Sequence, residues 1–148
     1  MGLLVNGSSA EGKKLRESFL SGFPKLNALI ESLKTELSLN NGWIAGVDNR
    51  RIYVGSDHKL LNYLLQGNEA IYIKYTAVIA NKLIKKNGLD AKLLVIMHDE
   101  INMEVSLEDA ENVKKILKYA FKRAGEVLGI MCPMDTDPKQ GETWYDIH

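Results

Sequence analysis

The chain has 148 residues, 45% of them apolar, which is enough for one domain with a real core. Its 19 basic and 19 acidic side chains balance, so net charge gives no vote for a nucleic-acid partner, although a local basic face would matter more than the sum. The single cysteine, Cys132, excludes an internal disulfide and a Cys-rich zinc site and suits a reducing compartment, and with neither a membrane span nor a signal-peptide pattern at Met1-Gly2-Leu3-Leu4-Val5, a cytoplasmic protein is expected.

Ser8 followed by Glu11 reads as a capping box, which predicts a helix ending near Gly22. Pro24 suits the first turn of a second helix. There Leu26, Leu29, Ile30, Leu33 and Leu37 recur at helical spacing until Asn40-Asn41-Gly42. Trp43-Ile44-Ala45 and Ile52-Tyr53-Val54 flank the turn dipeptide Asp48-Asn49 and predict a hairpin. Ser56 is placed to cap a long helix running toward Asn87-Gly88. Strands over 92–97 and 101–105 follow, joined by a tight turn. Ser106 and Asp109 open another helix, with Leu107, Ala110, Val113, Leu117 and Ala124 on one face and Gly129 at its end. A last short strand is expected from Ile130 to Thr136, before a polar tail with Trp144 and His148. The order predicts an α+β fold, with helices packed on an antiparallel sheet.

Three groups of residues carry possible chemistry. His98-Asp99-Glu100 interrupts a long apolar hairpin, Leu93 to Met97 on one side and Ile101 to Val105 on the other. A carboxylate at the end of a buried strand usually pairs, binds a metal or does chemistry, because burying it unpaired is costly. Asp99 with Glu100 could hold a hard divalent cation such as magnesium, which prefers oxygen ligands; a plain polar turn is the other reading. A glycosidase-like pair is disfavoured, since adjacent strand residues point to opposite faces. His58, Asn62 and Gln66 stand at i, i+4 and i+8, a stripe that suits either nucleic-acid contact or water. Arg50-Arg51 could grip phosphates with forked donors or simply solvate a turn.

Taken in order, these motifs resemble those of family A DNA polymerases. Arg50-Arg51 follows a hairpin, then come Asn62-x-x-x-Gln66-Gly67, hydrophobics-His98-Asp99-Glu100, and Gly141-x-x-Trp144-x-x-x-His148. The phage replicative branch is the nearest in pattern, through His58 and Leu61-Asn62-x-Leu64-Leu65-Gln66. The segment from Gly12 to Leu20 resembles the helix after the nucleotide-binding helix of the fingers. The resemblance spans nearly the whole chain.

It implies an incomplete polymerase domain: late fingers over 1–42, and over 43–148 the second half of a palm whose sheet is antiparallel. Asp99 would be the palm carboxylate that binds catalytic magnesium. Glu100 would help shape the site, and His98 would lie by the primer terminus. Asn62 and Gln66 would contact the minor groove of the primer-template, Arg50 or Arg51 and His58 would hold its backbone, and His148 would bring the chain terminus near the active site. Asn49 departs from the glycine common at that turn, and Asn68-Glu69 from the usual small residues. The family's other metal-binding aspartate, its triphosphate-binding fingers helix and its thumb lie upstream of the segment that these motifs cover. Two-metal catalysis needs a carboxylate from each of two strands, and this hairpin supplies one. The expectation is therefore the C-terminal subunit of a split polymerase. An N-terminal polymerase fragment would complete the two-magnesium site, and primer-template DNA and deoxynucleoside triphosphates would be its substrates. The alternatives are a non-catalytic remnant that self-associates through a bare sheet edge or binds DNA weakly, and a free-standing metal-dependent phosphohydrolase.

Overall fold

The computed structural model describes residues 8–147. The helix α1 (Ser9–Ser21) begins at the predicted capping box: the Glu11 N–H donates to Ser8 Oγ, and the Ser8 N–H donates to Glu11 Oε2 at 2.6 Å. Two orphan amide donors of the first turn are thereby satisfied. The Ser8 N–H and the Ser8 hydroxyl, which donates to Glu11 Oε2 at 3.0 Å, hold the Glu11 carboxyl below the usual carboxylate range. α2 (Pro24–Leu39) starts with its proline at the first turn, as expected. Asn41 and Gly42 stop it with positive φ values of 53° and 95°.

β1 (Trp43–Ala45) pairs antiparallel with β2 (Arg51–Tyr53) in the register Trp43↔Tyr53, Ile44↔Ile52, Ala45↔Arg51. Asn49 takes φ 64°, which asparagine tolerates better than most residues. A 3-10 turn, Asp57–Lys59, then leads into α3 (Leu60–Lys86). Ser56 does not cap α3 as expected; it precedes the 3-10 turn and its side chain makes no capping bond there. The predicted stripe is shortened for the same reason, since His58 belongs to the 3-10 turn while Asn62 and Gln66 ride on α3.

β3 (Ala91–Met97) and β4 (Glu100–Val105) form the second hairpin. Their register slips between Leu93 and Val95, leaving Leu94 as an extra residue on β3. Such bulges twist a strand and recur beside active sites. α4 (Ala110–Val127) follows, with Ala110, Val113, Ala120 and Ala124 buried at helical spacing. Leu107, expected on that face, precedes the helix and is exposed. The predicted strand at 130–136 does not form; the segment has no regular secondary structure, bends at Cys132 and pairs with no strand among the described residues. A 3-10 turn, Trp144–Ile147, closes the described chain.

The fold class is thus α+β, with two separate two-stranded antiparallel sheets. The chain divides into two units. One takes the residues up to Ala45 with Arg51–Leu64; its core is Leu33, Ile44 and Leu60, with Leu37, Ile52, Val54 and Leu64 packed around them. The other takes Gly46–Arg50 and the residues from Leu65 on; it buries Ile71, Ile73, Thr76, Ala80 and Ile84 of α3 and Val113, Ala120 and Ala124 of α4. Within it, the Tyr72 hydroxyl donates to the Phe121 carbonyl at 2.8 Å, and the two rings meet edge to face. Gly125 lets the irregular segment at Met134 approach α4 closely, because a Cβ there would stand 2.8 Å from Met134 Cγ.

Candidate functional site

His98 and Asp99 are the two loop residues of the second hairpin, between the paired residues Met97 and Glu100. A two-residue hairpin loop needs positive φ where the chain reverses, and His98 supplies it at φ 53°. The turn therefore presents the imidazole and the Asp99 carboxylate at the tip, both exposed, while Glu100 begins β4 half-buried. The expected burial of the apolar strand is not found. Leu93, Leu94, Val95 and Met97 are 43%, 63%, 40% and 43% exposed, so the strand's hydrophobic run has no full cover among the described residues.

Asp99 borders two cavities, both within the second unit. The larger, about 510 Å³, is mostly apolar, with Leu65, Tyr72, Ile73 and Phe121 in its wall. It also gathers carboxylates that sequence reasoning did not assign, Glu69 and Asp135, with Asp99 on the same rim. Glu69 stands three residues beyond Gln66, one helical turn on, which is a readable signal. Among the described residues no group of three His, Cys, Asp or Glu side chains is arranged to hold a metal ion. The donor set still fits part of a magnesium site: an exposed carboxylate in a turn is the hard oxygen ligand such a cation takes.

The smaller cavity, about 330 Å³, runs along β4. Asn102 lies in its wall, 6% exposed, and its Nδ2 donates to no atom of the described chain. A buried donor left without an acceptor costs on the order of 1–3 kcal/mol. The signal in the sequence is a lone amide between Ile101 and Met103.

The remaining predicted residues divide by what they touch. Arg50 turns back on Asp48 in a forked pair, Nε and Nη2 lying 2.9 and 2.6 Å from Oδ2. Arg51 instead lies over the Trp43 ring, 4.9 Å from its centroid, and stays exposed. His58 is exposed, with Nδ1 2.8 Å from Ser56 Oγ. Asn62 and Gln66 are on α3, the first exposed and the second likewise. Asn68, a departure from the usual small residues, anchors the backbone of the first hairpin loop, where its Oδ1 accepts the Val47 N–H at 2.8 Å. In the tail, Thr143 donates through N–H and hydroxyl to Asp146 Oδ2 at 2.7 and 2.8 Å, which keeps that carboxyl below its usual range. Gly141 must be glycine there, since a Cβ would collide with Asp146 and Ile147. His148 lies outside the described residues.

The family model for DNA polymerase family A matches residues 3–146. The chain belongs to DNA polymerase family A. The DNA-directed DNA polymerase of Escherichia phage Phieco32 is 32% identical over 155 residues, covering all of this chain and 25% of that protein. DNA polymerase I of Aquifex aeolicus is 32% identical over 146 residues, covering 97% of this chain and 25% of the relative. The Escherichia phage T7 polymerase is 28% identical over 168 residues, covering all of this chain and 24% of its own length. The chain therefore spans about a quarter of the length of these relatives. Among solved structures it resembles the POL domain of Pol1 from M. smegmatis, described in complex with DNA primer-template and dNTP. That likeness has a TM-score of 0.71 at 21% identity, over 83% of this chain and 24% of the other, and it supports the fold. The chain is thus a family A polymerase segment with the α+β architecture of part of a polymerase domain. No helix among the described residues is long and apolar enough to cross a membrane.

Proposed function

We propose that this chain is the C-terminal part of a phage-type family A DNA-directed DNA polymerase whose remaining part is a separate polypeptide. It acts in the cytoplasm of the host cell. On this reading the first segment, 1–42, is late fingers and 43–148 is the second palm half. The two polypeptides together transfer a nucleotide from a deoxynucleoside triphosphate to a primer. The primer hydroxyl attacks the α-phosphate, one P–O bond forms, the bond to the leaving pyrophosphate breaks, and the hydroxyl proton is lost to solvent or base.

The observation that carries the proposal is the hairpin tip. It holds an exposed Asp99 at the end of an apolar strand that lacks full cover, in a chain matched to the family from residue 3 to 146. Asp99 is the residue that would hold magnesium, with the second carboxylate supplied by the partner polypeptide. Bound there, magnesium would polarise the phosphoryl oxygens and favour ionisation of the attacking hydroxyl. Glu100 orients the tip as the first residue of β4, and His98 fixes the turn and faces the primer end. Asn62 and Gln66 read the minor-groove acceptors that every correct pair presents. Arg51 and His58 hold backbone phosphates, while Arg50, engaged by Asp48, orders its loop. His148 would lie near the site.

The test is reconstitution. This chain mixed with the complementing polymerase polypeptide gives magnesium-dependent primer extension, and Asp99→Ala abolishes it. An Asp99→Ala mixture as active as wild type would sink the metal assignment. A chain that only self-associates and never extends a primer with its complement would favour the non-catalytic remnant.

A further inference from the structure

The balanced charge of the chain hides a basic helix. From Asn112 to Gly125, α4 carries Lys114, Lys115, Lys118, Lys122 and Arg123 and no carboxylate. Its inner face is accounted for: Val113 and Leu117 line the 330 Å³ cavity, and Phe121 lines the 510 Å³ one. At about 3.6 residues per turn, Lys115 and Lys122 stand roughly half a turn from that face. Tyr119 lies between them on the same stripe, 55% exposed, with Lys118 and Arg123 beside it. None of these five side chains lines a cavity that Asp99 borders. The ion pairs do not neutralise the stripe. Lys118 reaches Asp137 only at 4.0 Å and Arg123 meets Glu126 at 2.9 Å, and such exposed pairs are weak. Neither Lys115 nor Lys122 forms an ion pair among the described residues. Lys115 adds only to the field on Glu111, a carboxyl held low first by its hydrogen bond from Lys114. The neighbouring helix offers no compensation. α3 packs on α4 through Tyr72 and Phe121, and from Ala70 to Gly88 the chain has four exposed lysines and no acid.

We propose that the outer face of α4 holds a single strand of nucleic acid, apart from the site at the Asp99 tip. The phosphates lie along Lys115, Lys118, Lys122 and Arg123, and a base stacks on the Tyr119 ring. Each feature of the occupant follows from the surface. A row of cations with few carboxylates selects a polyanion and gains by releasing its counterions. An exposed aromatic ring inside that row offers a face to an unpaired base, which a duplex keeps stacked within itself and an acidic peptide lacks. Phosphate contacts and ring stacking read no base edges, so binding is indifferent to sequence. The inference goes beyond the polymerase reading, because it needs neither Asp99 nor a partner polypeptide. The strand lies on the far side of α4 from the cavities that Asp99 borders, and so away from the primer end.

The test is fluorescence anisotropy of a labelled oligothymidylate with this chain alone. Wild type should bind it, with log affinity falling as log salt rises. Lys115→Gln combined with Lys122→Gln should weaken binding at least about tenfold at low salt and lower that slope by about 1.4, the loss of two single-strand phosphate contacts. Tyr119→Ala should weaken binding by roughly fivefold or more at unchanged slope, and Tyr119→Phe should restore it. The substituted side chains are all exposed, so each variant should keep the wild-type Tm. Wild-type affinity in the double variant or in Tyr119→Ala would overturn the site. A duplex of the same length binding as tightly would overturn the single strand, and a polyglutamate peptide displacing the oligonucleotide at equal charge would put an acidic protein segment in its place. In the enzyme reconstituted with its complement, extension of a short primer-template should survive the α4 variants; its loss would merge α4 with the primer-template path and overturn a separate site. Oligonucleotide binding without any primer extension would sink the split enzyme and leave this surface standing.

Discussion

The Arg50 guanidinium closes on the Asp48 carboxylate two residues before it, with Nη2 2.6 Å and Nε 2.9 Å from Oδ2. The neighbouring Arg51 instead lies on the Trp43 ring. Two adjacent arginines that look equivalent in sequence are therefore held in different ways. Arg51→Ala should weaken primer-template binding severalfold and lower the slope of log affinity against log salt by about 0.9, the signature of one lost phosphate contact. Arg50→Ala should leave that slope nearly unchanged. Binding isotherms at several salt concentrations decide it, and equal slopes for both variants would remove the distinction.

The same pair has a pH signature. The hydrogen bond from Arg50 holds the Asp48 carboxyl below the usual carboxylate range. A carboxyl depressed in the folded state stabilises the fold above its unfolded pKa, and that contribution is lost as pH falls through the lower folded value. Asp48 is thus expected to titrate late in an acid NMR titration and to return toward the ordinary range in Arg50→Ala. The destabilisation by Arg50→Ala should be present at neutral pH and vanish in strong acid. A variant penalty that persists unchanged below the folded pKa would show that the pair acts through packing instead.

Asn68 makes a prediction of the opposite kind, about a residue that looks anomalous in sequence. Its Oδ1 accepts the Val47 amide across 21 residues of sequence, in a partly buried setting. Asn68→Ala should cost about 1–3 kcal/mol by leaving that amide without an acceptor. Asn68→Asp keeps the acceptor and should cost less. Urea unfolding of the three proteins measures the order, and faster exchange of the Val47 amide in the alanine variant locates the loss.

What is legible in the sequence is mainly local. The Ser8–Glu11 box can be read because both partners lie within one turn, and the His98-Asp99 turn because a short polar pair splits two apolar runs. Ser56 misleads because a hydroxyl can cap an α-helix or lie beside a nearby ring, and here it lies beside His58. The expected strand at 130–136 fails for a non-local reason: strand propensity is realised only by pairing with a neighbouring edge, and among the described residues this segment pairs with none. Leu93 to Met97 read as buried because hydrophobicity reports what a segment can bury, not whether its cover is in the same chain. Glu69 and Asp135 join Asp99 at one cavity only once α3 and the segment at 130–136 are folded together.

His98 separates backbone from imidazole. At φ 53° a β-branched residue is strained by roughly 1–2 kcal/mol, while glycine and asparagine are not. His98→Gly should therefore keep the hairpin within about 1 kcal/mol of wild type, and His98→Val should lose stability. If the imidazole contacts the primer end, His98→Gly reduces primer extension in the reconstituted enzyme although it folds. Full activity in His98→Gly would confine histidine to shaping the turn.

Leu94 tests what the bare strand does when the chain is alone. It is the bulged residue of β3 and 63% exposed, next to three other exposed apolar side chains. An open edge with such a surface invites pairing with another copy, and a lysine there is an effective block. The isolated chain should sediment as larger species when concentrated, and Leu94→Lys should shift it toward monomer with little change in Tm, because an exposed substitution usually costs within about 0.5 kcal/mol. A Leu94→Lys chain that self-associates as strongly as wild type would place the contact elsewhere than on the bulged face of β3.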